Sequence, residues 1–307
     1  MSKIEEFAGY LHPSYVKAFS EYGTPRELPA CGGWVLERSI PGHEEQDAMG
    51  CYPLFVCRDW RNLPQDLEEI GKDLVAIALV TDPFADVDEE FLRQQFNIAK
   101  LFKEHYIADL SRPMEESINR HHRYYARRSL RDTDVEVCLE PIKYITEWMN
   151  LYGNLIERHH IRGMRAFSEE SFRGQLTTPG MILFVGKRQG EVVGAHFVAM
   201  HSDVAYSHLA AFSPDGYQNF SAYGIYWITL EYLAKQGIRY FDLGAAAGLD
   251  AAADDGLDRF KRGWSTATRL VYFCGKIFDR ERYAAICQDC KIGETDYFPA
   301  YRAGEFG

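Results

Sequence analysis

The sequence predicts an α/β (α+β) fold built as two similar halves, on three observations. Runs of strand-like alternation are interleaved with runs of helical period along the chain. The order helix, strand, strand, strand, helix, strand occurs over residues 14–110 and again over 141–243. The length of 307 residues accommodates two domains of about 100–200 residues each.

The first half opens on a short amphipathic helix with Tyr15, Val16 and Phe19. Residues 31–40 alternate as a strand after a Gly-Gly turn, 40–50 read as a polar loop, and 51–60 as a second strand. A short helix or loop at 62–72 leads to LVAIALV at 74–80. This apolar run is rich in Val and Ile and closed by Asp82-Pro83, as a buried strand would be. Residues 88–103 have helical period through Phe91, Leu92, Phe96, Ile98, Leu101 and Phe102, with Asp86 or Asp88 as the cap. Residues 104–110 form a strand. A helix over 113–131 follows, with Ser111 as N-cap and Glu115 and Glu116 near its first turn.

In the second half, 135–139 is a strand and 141–160 a helix with Ile145, Trp148, Tyr152 and Ile156 on one side. A short helix at 169–176 precedes a hairpin, 181–187 and 191–200, turning at Gln189-Gly190. Residues 204–212 form a strand, and a loop over 213–224 leads to a helix at 225–235 that Gly237 ends. Strands at 238–243 and 268–278 and a helix at 279–289 complete the pattern.

Apolar residues make up 46% and charged residues 26%, the composition of a soluble globular protein. A net charge of −11 argues against a broad nucleic-acid surface but permits a local basic patch. No apolar run has the length of a membrane span, and the N-terminal residues have no signal-peptide core. Seven cysteines, an odd number spread along the chain, point to a reducing compartment, so the expected location is cytoplasmic.

Residues 240–266, YFDLGAAAGLDAAADDGLDRFKRGWST, concentrate the chemistry. A strand ends in Asp242, small residues from Gly244 onward let the backbone approach a ligand, and Lys261 and Arg262 return between Phe260 and Trp264. That pattern suits a substrate that develops negative charge, and it equally suits a plain connection with a solvated basic turn. Asp250, Asp254 and Asp255 read as a solvated loop. From Arg112 to Arg131 there are six Arg against two Glu, with Arg120, Arg123 and Arg127 on one helical face. An anion site and a solvated face are both open readings of that run. His208 sits mid-strand two residues from Tyr206, placed either as a general base or as a hydrogen-bonded core histidine.

Several motifs are absent. Residues 242–248 do not fit GxGxxG, and neither GxxxxGK[ST] nor GxSxG occurs. Cys287 and Cys290 form a lone CxxC with no second pair, and the adjacent pairs His121-His122 and His159-His160 cannot converge on one ion, so no metal site is expected.

Two blocks resemble the FemABX aminoacyltransferases and their relatives with the GNAT fold. One carries Asp109, Leu110, Ser111, Arg123, Tyr124, Arg127, Arg128, Val135 and Val137. The other, similar to FDLGG…GL..FK.GF, carries Phe241, Asp242, Leu243, Gly244, Gly256, Leu257, Phe260, Lys261, Gly263 and Trp264. Ala245 stands where that pattern has its second glycine, and the coiled-coil arm of the peptidoglycan enzymes is missing. The resemblance implies tandem GNAT-like domains, each a mixed, mostly antiparallel sheet flanked by helices. The first would span 1–111, completed by 279–307. The second, 112–278, would carry the active site.

It also implies transfer of an aminoacyl group from aminoacyl-tRNA to an amine of a small molecule or peptide, forming an amide without a covalent enzyme intermediate. Lys261 would stabilise the reacting centre as the catalytic residue. The candidate substrate-binding residues are Arg262, Asp242, Gly244, Tyr206, His208, Arg123, Arg127 and Arg128. No cofactor is implied; the donor is a co-substrate, and the expected partners are the acceptor end of the tRNA and the amine. The alternative donor is acyl-CoA, whose users resemble one another in a Q/R-x-x-G-x-G/A loop that residues 215–224, DGYQNFSAYG, do not match. A non-catalytic binding protein on the same fold is the further alternative.

Overall fold

A computed structural model describes residues 7–246 and 256–305. Asp250, Asp254 and Asp255 lie outside the described residues. The chain divides into two compact units. One holds Met1–Ser14, Glu104–Ile161 and Ser168–Arg269; the other holds Tyr15–Lys103, Arg162–Phe167 and Leu270–Gly307.

The strands are β1 (Thr24–Leu28), β2 (Gly33–Ser39), β3 (Gln46–Gly50), β4 (Leu74–Val80), β5 (Ile98–Asp109), β6 (Asp134–Cys138), β7 (Met181–Arg188), β8 (Glu191–His201), β9 (Val204–Phe212), β10 (Tyr240–Asp242) and β11 (Ala267–Ile277). In the unit containing Tyr15–Lys103, the strands run β1-β2-β3-β4-β11, antiparallel except where β3 meets β4. Val35 on β2 and Ile77 on β4 are buried in one core with Phe55, Trp60 and Leu67, which the intervening segments bring to the sheet. In the unit containing Glu104–Ile161, the order is β5-β10-β9-β8-β7-β6, antiparallel except where β10 meets β9. Its core gathers Phe184, Val198, Ile225, Leu230, Phe241 and Trp264 between that sheet and the helices Arg120–Ser129 and Ser221–Lys235. Both units are therefore mixed, mostly antiparallel sheets flanked by helices, the expected fold class.

The expected strand at 51–60 is absent, and β3 lies in the segment read as a polar loop. Pro53 has no N–H to give a ladder, and Phe55 makes only an isolated bridge to Thr81. The polar start of β3 is stable because Asp47 is buried against Arg38 and Arg302. The expected helix over 88–103 is a helix only over Glu89–Gln95, capped by the Asp88 carboxylate on Phe91 N. Its later apolar residues belong to β5. Tertiary bonds claim the chain at the break, where Asn97 Oδ1 accepts from Ile277 N at 2.7 Å and Gln95 O accepts from Lys276 Nζ at 2.7 Å.

The helix expected over 113–131 is split into Met114–Ser117 and Arg120–Ser129, because Asn119 accepts from His122 N and starts the second helix itself. Ser111 is not its cap; its N–H and Oγ–H both bond Asp109 Oδ1. The helix expected to begin at 225 begins at Ser221, and the loop before it contains a short helix, Pro214–Gln218, capped by Ser213.

Candidate active site

The site is assembled where β10 ends. The chain leaves Asp242 through Gly244, at φ +74°, a conformation that costs a side chain but not glycine. Asp242 is buried, and its Oδ1 accepts from Gly244 N at 2.7 Å, which fixes the turn. The His105 ring on β5 closes the other side of the carboxylate, with Nδ1 2.9 Å from Oδ2 and 3.1 Å from Oδ1. Register explains the meeting: Asp242 pairs with Ile107 across β10 and β5, and His105 is two residues along on the same face.

Lys261, half-buried on the Gly256–Arg262 helix, reaches this turn and donates from Nζ to Ala245 O at 2.6 Å. A Cβ at Gly244 would stand 3.1 Å from that Nζ, so a side chain there would crowd the cation. Arg262 points elsewhere, to Asp258 one turn back at 2.5 Å, and Asp258 also accepts from Tyr106 Oη.

Gly263 follows for a packing reason. A Cβ there would lie 2.0 Å from the His122 ring, which bonds Phe260 O through Nε2 at 2.8 Å. Around it Tyr223, Tyr226, Phe260 and Trp264 form an aromatic cluster with ring centroids 4.9–6.2 Å apart. This cluster holds the Lys261 backbone against the core.

Beneath it, His196 stacks on Tyr226 with centroids 4.1 Å apart. Thr229 donates to Ile225 O, so it accepts from His196 Nδ1–H at 3.2 Å. That leaves Nε2 to accept from Ser207 Oγ–H at 2.8 Å, and Ser207 Oγ lies 3.3 Å from Tyr226 Oη. Burial, with a smaller contribution from the Lys261 charge, pushes the His196 pKa down to about 3.

The remaining expected residues are placed differently. Tyr206 pairs with Asp242 across β9 and β10, but its Oη bonds His201 Nε2 at 3.2 Å. His208 is buried with both ring nitrogens occupied, Nδ1 by Tyr10 Oη at 3.0 Å and Nε2 by Gln175 Oε1 at 2.9 Å. Arg123, Arg127 and Arg128 lie on the outer face of the Arg120–Ser129 helix, away from His122, Ala126 and Ser129 on its buried face. His105 and His196 are the polar groups that sequence reasoning missed. The signal for His105 is the β5–β10 register, visible only once those strands are paired. Among the described residues, no group of three His, Cys, Asp or Glu side chains is arranged to hold a metal ion.

Four histidines share one electrostatic condition. Burial pushes His122 and His201 down to about 4, and His196 and His208 down to about 3, from an ordinary 6.5. Neutral in the folded state, they take up protons on unfolding below pH 6.5, so their contribution is complete above that value and is lost as pH falls toward 4. Each is expected to cost about 2 kcal/mol of stability at pH 5. A thermal melt should therefore be level from pH 7 to 8 and fall steeply from 6.5 to 5, and a melt level down to pH 5 would contradict this account.

Residues 116–262 match the family model described as Acetyltransferase (GNAT) domain. The chain has the GNAT fold. FemX superposes with a TM-score of 0.67 at 15% identity, over 89% of this chain and 93% of that one. The C-terminal DUF2156 domain of a putative lysylphosphatidylglycerol synthetase from Agrobacterium fabrum gives 0.65 at 15%, over 92% and 91%. L-PGS from Bacillus licheniformis gives 0.57 at 16%, over 90% and 95%. By sequence, no curated protein matches significantly. The GNAT domain contains Lys261, Asp242 and His196, and the match supports an acyltransferase without specifying the donor. Among the described residues, no helix is long and apolar enough to cross a membrane.

Proposed function

We propose that the protein transfers an aminoacyl group from aminoacyl-tRNA to an amine of a small molecule or peptide, with Lys261 as the catalytic residue. The observation that carries this reading is the seating of Lys261 Nζ on the Gly244–Ala245 turn. Ala245 O accepts from that ammonium, which holds the cation at the turn. The acceptor amine adds to the ester carbonyl and a C–N bond forms. The Lys261 ammonium then stabilises the oxyanion, an effect worth about 3–4 kcal/mol for a single donor. Collapse breaks the ester C–O bond, and the amine proton passes to the departing ribose oxygen. No covalent enzyme intermediate is needed. Gly244 leaves space for the carbonyl, Asp242 and His105 hold the turn, and Arg262 at the exposed edge meets a phosphate of the acceptor end. The fold likeness to FemX and to lysylphosphatidylglycerol synthetase is compatible with this reading.

Transfer from acyl-CoA is the second reading, favoured by the description of the matching family. A pyrophosphate cradle needs free N–H groups before the helix that follows β9. Here Gly216 N donates to Ser213 Oγ, Tyr217 N to Ser213 O, Asn219 N to Asp215 O, and Phe220 N to Tyr217 O. These occupied donors weigh against a cradle made by the N–H groups of Gly216, Tyr217, Asn219 and Phe220. Incubation with charged total tRNA, or with acetyl-CoA, plus candidate amines is expected to give an amide only with tRNA, and RNase should abolish it. Product from acetyl-CoA that resists RNase would reverse the assignment.

A further inference from the structure

The outer face of the Arg120–Ser129 helix carries charge that the rest of the molecule does not balance. Arg120, Arg123, Tyr124, Arg127, Arg128 and, just beyond the helix, Arg131 line an open cleft of about 580 Å³. Several arginines elsewhere come with carboxylates: Arg26 with Glu37, Arg93 with Glu89, Arg173 with Glu169, Arg188 with Asp215. Among the described residues, none of the five arginines of this cleft has such a partner. Arg123 is braced on Glu115 O, and Arg128 stacks on the Phe220 ring at 5.0 Å. A chain of net charge −11 that leaves five guanidinium groups side by side holds them together against their mutual repulsion.

We propose that this face is a docking surface for the phosphodiester backbone of RNA. The inference rests on the aminoacyl-tRNA reading and extends it from the transfer centre to the body of the nucleic acid. Guanidinium forks bind phosphate oxygens in pairs. At 1.5 Å per residue, Arg120 to Arg131 is a ridge of about 16 Å, long enough to meet several phosphates. Tyr124, 59% exposed in the middle of the ridge, offers a ring on which a base can stack. A lipid surface fits less well, because a helix that enters a bilayer interface presents aliphatic and aromatic side chains, and this face has one tyrosine among its arginines. The buried side of the same helix carries His122, which bonds Phe260 O next to Lys261. The ridge and the lysine are thus held on opposite sides of one packed element.

The test is anisotropy of a fluorescein-labelled, uncharged RNA minihelix titrated with the full chain across a potassium chloride series. Arg120→Ala/Arg127→Ala/Arg131→Ala is expected to weaken binding about 10–100-fold and to flatten the slope of log K against log salt by about 2–3. All three positions are exposed, and alanine favours a helix, so circular dichroism should show the fold unchanged. Lys261→Ala should bind the minihelix as the wild type does while losing transfer. Wild-type affinity and slope in the triple variant would overturn the docking surface and leave the transfer reading standing. Wild-type protein that binds no RNA yet acylates from acetyl-CoA would overturn both. Co-sedimentation with phosphatidylglycerol–phosphatidylcholine vesicles, with no RNA binding, would assign the face to a membrane.

Discussion

Lys261→Ala is expected to lower kcat for transfer by about 10²–10³-fold, the effect of removing one oxyanion donor. KM should change little, because the side chain contributes chiefly when charge develops on the carbonyl oxygen. The fold should survive. Lys261 is half-buried, and its hydrogen bond to Ala245 O is worth about 1 kcal/mol. Alanine recovers part of that through helix propensity. Lys261→Arg is the sharper control. It keeps the charge, but a planar guanidinium is bulkier than an ammonium and would meet Gly244, whose Cβ position is already 3.1 Å from Nζ. The arginine variant should therefore stay at least about tenfold below wild type. Steady-state kinetics with a saturating donor, read beside a thermal melt, decide the matter. Wild-type kcat in a folded alanine variant would remove Lys261 from the chemistry.

The parts of this site that are readable in the sequence lie close together along the chain. Asp242, Gly244 and Lys261 belong to one stretch of residues, and a cation returning to a small-residue turn can be seen without coordinates. His105 and Asp242 are separated by 137 residues, and His196 and Thr229 by 33, so their pairing depends on strand order. The strand order itself is partly hidden. β7, β8 and β9 are long, largely apolar runs with clear turns between them, and they fall where the pattern puts them. β10 is three residues long, too short for any period, and its Tyr-Phe-Asp sequence before glycine is what marks it.

The first half is harder to read because its polar residues point inward. Glu44, Glu45, Gln46 and Asp47 look like a solvated loop, yet Asp47 is fully buried. Composition reports what water would accept and says nothing of an arginine delivered from another part of the chain. The helix at 88–103 fails for a related reason. Phe96, Ile98, Leu101 and Phe102 satisfy a helical period, but a strand edge beside β11 takes the residues from Ile98 onward. His208 is open in the sequence between a general base and a hydrogen-bonded core histidine, and the partners on its two nitrogens, Tyr10 and Gln175, come from distant parts of the chain.

Asp47→Ala is expected to destabilise the unit containing Tyr15–Lys103 by about 3–5 kcal/mol, the largest stability effect of any single substitution considered. Asp47 has no exposed surface, and it accepts from Arg38 Nε at 3.2 Å and from Arg302 Nε and Nη2 at 2.5 and 3.0 Å. Both arginines are themselves buried, with Glu305 at 2.9 Å from Arg38 and 3.3 Å from Arg302 as the other carboxylate they share. Two buried cations facing one partly exposed acid carry an uncompensated charge, which the variant can relieve only by releasing the segment that holds Arg302. Asp47→Asn keeps the shape and one acceptor, and should lie between wild type and alanine. Removing the second cation as well separates charge from packing: Asp47→Ala/Arg302→Met should be less destabilised than the sum of the single changes. Urea unfolding followed by tryptophan fluorescence supplies the four midpoints of that cycle. Strictly additive midpoints would mean that Asp47 and Arg302 are packed side by side without energetic coupling, and that some other contact holds residues 300–305 against the sheet.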